Sequence, residues 1–150
     1  MKIAIAQINP TLGDIKANTL KIISSIKSAE EKGSDIIIFP EMAITGYPPK
    51  DLVLDDSFIT KNIQALNEIK KQCRNITAVV GFIDKNDGLH NSAAVISGKE
   101  IILKQNKTHL PNYDVFDEKR YFKPAENSEI IEINGKKIGI AICEDTWNDG

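Results

Sequence analysis

Four consecutive apolar residues, Ile36-Ile37-Ile38-Phe39, stand between Gly33 and Pro40. A strand that alternates apolar and polar residues can leave one face to water, but a strand with no polar residue suits cover on both faces. That run therefore points to a layered molecule. Its flanks supply the layers. Lys2–Ile8 reads as a first strand, ended by turn signals at Asn9-Pro10 and Gly13-Asp14. Leu20, Ile22, Ile23 and Ile26 recur at helical steps, which predicts a helix over about Asn18–Lys32 with Gly33 as its stop.

After the run, Thr45–Pro49 must be a loop, because consecutive prolines join neither a ladder nor a helix interior. Ile59, Ile63, Leu66, Ile69 and Cys73 mark a second amphipathic helix. Thr77–Ile83 is β-branched and apolar. Asp87-Gly88 turns it into a strand near His90–Ser97, and Gly98-Lys99 turns that into Glu100–Gln105. Residues 106–127 are polar and aromatic without a clean period. Glu129–Ile133, the turn Asn134-Gly135 and Lys137–Cys143 form a last hairpin. The order β-α-β-α-β followed by hairpins predicts a mixed α/β fold in one domain. The sequence stops at Gly150, close behind a strand that looks central, so it is expected to be part of a longer chain.

Lys and Arg number 19 against 21 Asp and Glu, a net charge of −2, and 41% of residues are hydrophobic. This is not the composition of a disordered chain, and it offers no basic patch for nucleic acid or an anionic membrane. The first apolar run is broken at Gln7 and Asn9-Pro10, too early for a signal peptide, so the cytoplasm is the expected location. Two cysteines, Cys73 and Cys143, make no disulfide scaffold, and no Cys/His cluster predicts a metal.

Three ionisable residues follow predicted strands: Glu41 after Ile36–Phe39, Lys107 after Ile101–Leu103, and Cys143 at the end of Ile138–Ile142. Reactive groups in α/β sheets collect at the carboxyl ends of strands, so the three converge if their strands are neighbours running the same way. Along the last strand Ile138, Ile140 and Ile142 share one face, and Gly139, Ala141 and Cys143 the other. A thiol at a sharp turn can act as a nucleophile, with a lysine favouring the thiolate and a carboxylate taking the proton. The same residues also read as a buried thiol, a loop carboxylate and a surface lysine, and pattern alone leaves both readings open. Cys73, on the helix stripe, reads as core. His90 and His109 have no evident orienting partner for a Cys-His dyad.

The wording around the three positions narrows the choice. Phe39-Pro40-Glu41-Met42-Ala43-Ile44-Thr45-Gly46-Tyr47, Lys107-Thr108-His109-Leu110-Pro111 and Gly139-Ile140-Ala141-Ile142-Cys143-Glu144-Asp145 resemble the nitrilase (carbon–nitrogen hydrolase) superfamily, whose Glu-Lys-Cys triad maps onto Glu41, Lys107 and Cys143. Gly46–Leu52 and Pro111–Phe122 resemble, more narrowly, the glutaminase domain of glutamine-dependent NAD+ synthetases, with Asp114 where that family often has glycine.

The resemblance implies a four-layer α-β-β-α sandwich, present here as its N-terminal part, with the rest of that domain and an ATP-dependent synthetase domain beyond Gly150. It implies hydrolysis of L-glutamine through a Cys143 thioester, with Glu41 as proton acceptor and Lys107 holding the oxyanion. Tyr113, Phe116 and Glu118 would line the glutamine pocket, Glu118 facing the α-amino group, with Tyr47 and Trp147 as further walls. Lys119 and Arg120 are expected at the surface or against the second domain. The ammonia would amidate deamido-NAD+ in the synthetase domain, which needs ATP and Mg2+; no cofactor or metal is expected in this segment. A homo-oligomer is expected. Other readings are a stand-alone amidase or carbamoylase of the same superfamily, or an inactive piece with a packing role.

Overall fold

The computed structural model describes residues 1–147. Its elements run β1 (Ile3–Ile5), α1 (Ile15–Glu31), β2 (Ile36–Ile38), α2 (Asp56–Lys70), β3 (Thr77–Lys85), β4 (Leu89–Ser97), β5 (Glu100–Asn106), β6 (Ile130–Ile133) and β7 (Lys136–Gly139). Both helices begin earlier than their apolar spacing predicts, because an aspartate caps each. The Asp14 side chain accepts the Ala17 N–H and the Asp55 side chain that of Ser57, satisfying donors the first helical turn leaves free. α2 ends at Lys70, so Cys73 lies just past it, fully buried as core. The loop Thr45–Pro49 contains a cis Tyr47–Pro48 bond and leads into a short 3-10 turn, Lys50–Leu54, that no apolar period announces.

Five strands form one sheet in the order β1-β2-β3-β4-β5. β1, β2 and β3 are parallel, while β4 and β5 each run antiparallel to the strand before them. β5 therefore points the same way as β2. Ile37, Ala78, Val80, Phe82, Ala94 and Ile96 pack with Ile22 and Ile26 of α1 and Ile59, Leu66 and Ile69 of α2. On the other face Ile36, Val79, Ala93, Val95 and Leu103 pack against Ile133 and Ile142, with Ile131, Ile138 and Ile140 beside them. The register shifts between Val95 and Ile96, so Ile101 pairs with Ile96 on the helix face and Leu103 with Val95 on the other.

The second layer of strands is the antiparallel pair β6–β7. The described residues thus supply α, β and β layers of the expected sandwich, and the outer helical layer is not among them. β2 is not covered throughout: the hairpin reaches Ile36, but Ile38 remains 38% exposed beside exposed Ile3 and Ile5. β7 is also shorter than predicted, ending at Gly139. Past it, Ile140 and Ile142 still enter the inter-sheet core, while Ala141 and Cys143 face outward. No helix among the described residues is long and apolar enough to cross a membrane.

Candidate active site

The ends of β2 and β5 meet at one edge of the first sheet, but they are not neighbours, because β3 and β4 lie between them. The chain closes the gap by crossing over β3 at Gly81. A Cβ on Gly81 would lie 2.5 Å from the Pro40 carbonyl oxygen, 2.5 Å from the Met42 nitrogen and 2.9 Å from the Glu41 carbonyl carbon. Only a glycine lets residues 40–42 lie on the strand and carry Glu41 inward. Antiparallel β4 brings its first residues to the same edge, which places Asn91 there.

The result is a closed cluster. Lys107, fully buried, sets its Nζ 2.7 Å from Glu41 Oε1 and 3.0 Å from Glu118 Oε1. Asn91 donates from Nδ2 to Glu41 Oε1 at 2.6 Å and to Glu118 Oε2 at 3.3 Å, and Tyr47 donates its hydroxyl to Glu118 Oε1 at 2.8 Å. Burial alone would push the Lys107 ammonium toward the neutral amine, but hydrogen bonds and charge from Glu41 and Glu118 outweigh it and hold its pKa above the ordinary lysine value. Two of its three protons face carboxylates, which leaves a third for another acceptor.

Cys143 opens a 3-10 turn, Cys143–Thr146, with φ at 47°. That conformation is rare for a residue with a side chain and typical of strained functional positions. With Glu41, Gly81, Ser92 and Ile140 it lines a narrow cavity of about 110 Å³. Loss of solvent around the sulfur raises the thiol pKa, and the Glu41 charge raises it further. Lys107 and the Glu144 backbone N–H oppose this, and Glu118 adds to the rise. The net direction is upward. Lys107 thus favours the thiolate, as the sequence suggests, but loss of solvent and the Glu41 and Glu118 charges outweigh it.

The other expected residues divide. Tyr47, Phe116 and Glu118 line a pocket of about 290 Å³, with Asp51, Arg120 and Tyr121 at its walls. Tyr47 and Phe116 have ring centroids 6.3 Å apart, and Tyr113 meets Phe116 edge-on at 5.5 Å while donating its hydroxyl to Glu144. Glu118 is 4% exposed: it accepts from Lys107 and Tyr47 on one oxygen and from Asn91 on the other, and it also borders the 290 Å³ pocket. Trp147 is 74% exposed and lines neither pocket described above. Arg120 lies at the surface by Asp117 and over the Tyr121 ring. His90 is held by Asp87 and the Lys123 carbonyl, and His109 by Thr108. Cys73 is inert core: burial pushes its thiol up to about 12. Among the described residues no three His, Cys, Asp or Glu side chains gather as a metal site.

Asn91 and Gly81 escaped the reading of the sequence. The available signal for Asn91 was a pair of polar residues, Asn91-Ser92, inside an otherwise buried strand; both are 1% exposed and must find partners.

The carbon-nitrogen hydrolase family model matches residues 2–150. Glutamine-dependent NAD(+) synthetase of Thermotoga maritima is 45% identical over 150 residues, which is 99% of this chain and 26% of that protein. The corresponding protein of Acinetobacter baylyi is 40% identical over 98% of this chain and 27% of its own length. The chain thus spans about a quarter of these curated relatives. Glutamine-dependent NAD+ synthetase from Acinetobacter baumannii superposes with a TM-score of 0.88 at 37% identity, over 97% of this chain and 28% of that one. An amidase from Nesterenkonia sp. AN1 superposes at 0.85 with 20% identity, over 95% of this chain and 55% of that one, and shares the fold.

Proposed function

The chain belongs to the carbon-nitrogen hydrolase family, and from that premise we propose that it hydrolyses the side-chain amide of L-glutamine, releasing ammonia for the amidation of deamido-NAD+ to NAD+. The observation that carries the chemistry is the cluster of Glu41, Lys107, Glu118 and Asn91 beside a cysteine on a strained turn. The 45% identity to a glutamine-dependent NAD(+) synthetase supports the substrate.

Glu41 Oε1 already receives Lys107 and Asn91, so the other oxygen, Oε2, is the base. Oε2 takes the Cys143 proton as Sγ bonds to the amide carbon, and the C=O π electrons move onto oxygen as the oxyanion of a tetrahedral intermediate. The third proton of Lys107 and the Glu144 N–H stabilise that oxyanion, a contribution typically worth about 3–4 kcal/mol per donor. Collapse breaks the C–N bond, the proton on Glu41 passes to the leaving nitrogen, and ammonia departs. Water, deprotonated by Glu41, then attacks the thioester, releasing glutamate and returning the proton to sulfur. Glu118 fixes Lys107 and Tyr47 and takes no proton. Tyr113 and Phe116 border the glutamine site. Use of the ammonia, with ATP and Mg2+, belongs to a synthetase domain outside these residues, and we place the whole protein in the cytoplasm.

In the full-length protein, Cys143→Ala is expected to abolish glutamine-dependent NAD+ synthesis and to retain synthesis from free ammonia. A variant that still uses glutamine would refute Cys143 as the nucleophile. Loss of ammonia use as well would refute the division of labour. A glutamine-mimicking diazoketone is expected to add once, at Cys143, by peptide mass.

A further inference from the structure

The carboxylate of Asp145, 6% exposed, receives four hydrogen bonds. Its Oδ1 accepts the Thr108 N–H at 3.0 Å, the Thr108 hydroxyl at 2.8 Å and the His109 N–H at 2.8 Å. Its Oδ2 accepts the Ile142 N–H at 3.0 Å. Thr108 and His109 directly follow Lys107, and Ile142 directly precedes Cys143. The two segments adjoin different sheets, and among the described residues no strand pairing joins those sheets.

We propose that Asp145 is a positioning residue: one oxygen holds the backbone behind Lys107, the other closes the turn that presents Cys143, and together they set the ammonium and the sulfur against each other. This rests on the reading of Glu41, Lys107 and Cys143 as the reacting groups.

Two physical points favour it over a merely local cap. A left-handed φ at Cys143 is unfavourable and persists only where the surroundings over-determine it; the Ile142 bond closes the turn from within. A cap on the 3-10 turn would need only that one bond, yet three of the four donors come from the other segment, and three of the four are backbone groups whose positions are fixed by the fold. Hydrogen bonds to a charged acceptor are also the strong ones.

Asparagine at this position discriminates. Its single carbonyl oxygen can keep Thr108 and His109, but its NH2 then faces the Ile142 N–H, donor against donor. In the full-length protein Asp145→Asn is expected to lower kcat for glutamine hydrolysis about 100-fold, the usual cost of an ~1 Å misplacement, with KM little changed. The pH midpoint for alkylation of Cys143 by iodoacetamide is expected to fall toward that of an ordinary thiol, because the sulfur leaves the vicinity of Glu41. A folded Asp145→Asn protein with wild-type kcat and wild-type midpoint overturns the proposal. Should that variant not fold, Thr108→Val removes one of the four bonds alone and is expected to cost about fivefold in kcat; no change there overturns the proposal equally. If the wild type hydrolyses no glutamine but Asp145→Asn still moves the alkylation midpoint, the glutamine reading fails and the positioning role stands.

Discussion

Lys107 is sealed among Glu41, Glu118 and Asn91 at the edge of the five-stranded sheet, whereas Cys143 stands on an exposed turn next to the second sheet, joined to the Lys107 segment through Asp145. The first region is part of the folded core: its charges are buried, mutually paired and expensive to disturb. The second carries the proposed nucleophile and contributes little to the packing. In a site assembled this way, electrostatic preparation and nucleophile can be separated by mutation, because stability resides mostly with the first and chemistry needs both.

Lys107→Met should break that separation most severely. It leaves buried Glu118 and partly buried Glu41 without their cation, and loss of one partner from a buried network costs about 3–5 kcal/mol. Chemical denaturation of the full-length protein should show that loss together with the loss of glutamine hydrolysis. Cys143→Ala should match it in activity but shift stability by no more than about 0.5 kcal/mol, as for other exposed substitutions. Equal destabilisation by the two would contradict the contrast.

Gly81→Ala comes next. The added methyl meets backbone at 2.5 Å, and overpacking of this kind costs about 1–3 kcal/mol. Since the atoms displaced are those of residues 40–42, glutamine turnover should fall with stability; a variant fully active at wild-type stability would show that the crossing over β3 is not tight. Asn91→Ala is expected to act more gently. It removes one donor from Glu41, about 1.5–3 kcal/mol for a bond to a charged group, and so lowers kcat/KM by about 10- to 100-fold. An unchanged kcat/KM would mean that Lys107 alone orients the base.

How much of this was legible in the sequence follows the same divide. The positions of Glu41, Lys107 and Cys143 could be read from the runs that precede them, and the outward turn of Cys143 followed from the alternation of Ile138, Ile140 and Ile142. The environment could not. Lys107 reads as an ordinary surface lysine until β2 and β5 are known to end at the same edge, and nothing local ties Glu118 to Lys107 and Tyr47. Asn91 and Gly81 look like strand residues because their work is done on chain segments about fifty and forty residues away, a separation at which local periodicity carries no information. The aspartates at 14 and 55 are a different case: their capping signal was local, and the apolar stripe that begins a few residues later drew the helix starts too far in.

The charge cluster around Lys107 is expected to govern the Cys143 sulfur through its charge, with no hydrogen bond between them among the described residues. The smallest and most direct effect tests it: the pH dependence of Cys143 alkylation by iodoacetamide in the wild type and in Glu41→Gln. In the wild type loss of solvent and, after it, the Glu41 charge hold the thiol above its ordinary pKa, so removing that negative charge should lower the midpoint while the fold is retained. Superimposable profiles for the two proteins would mean that Glu41 and Cys143 do not share a site.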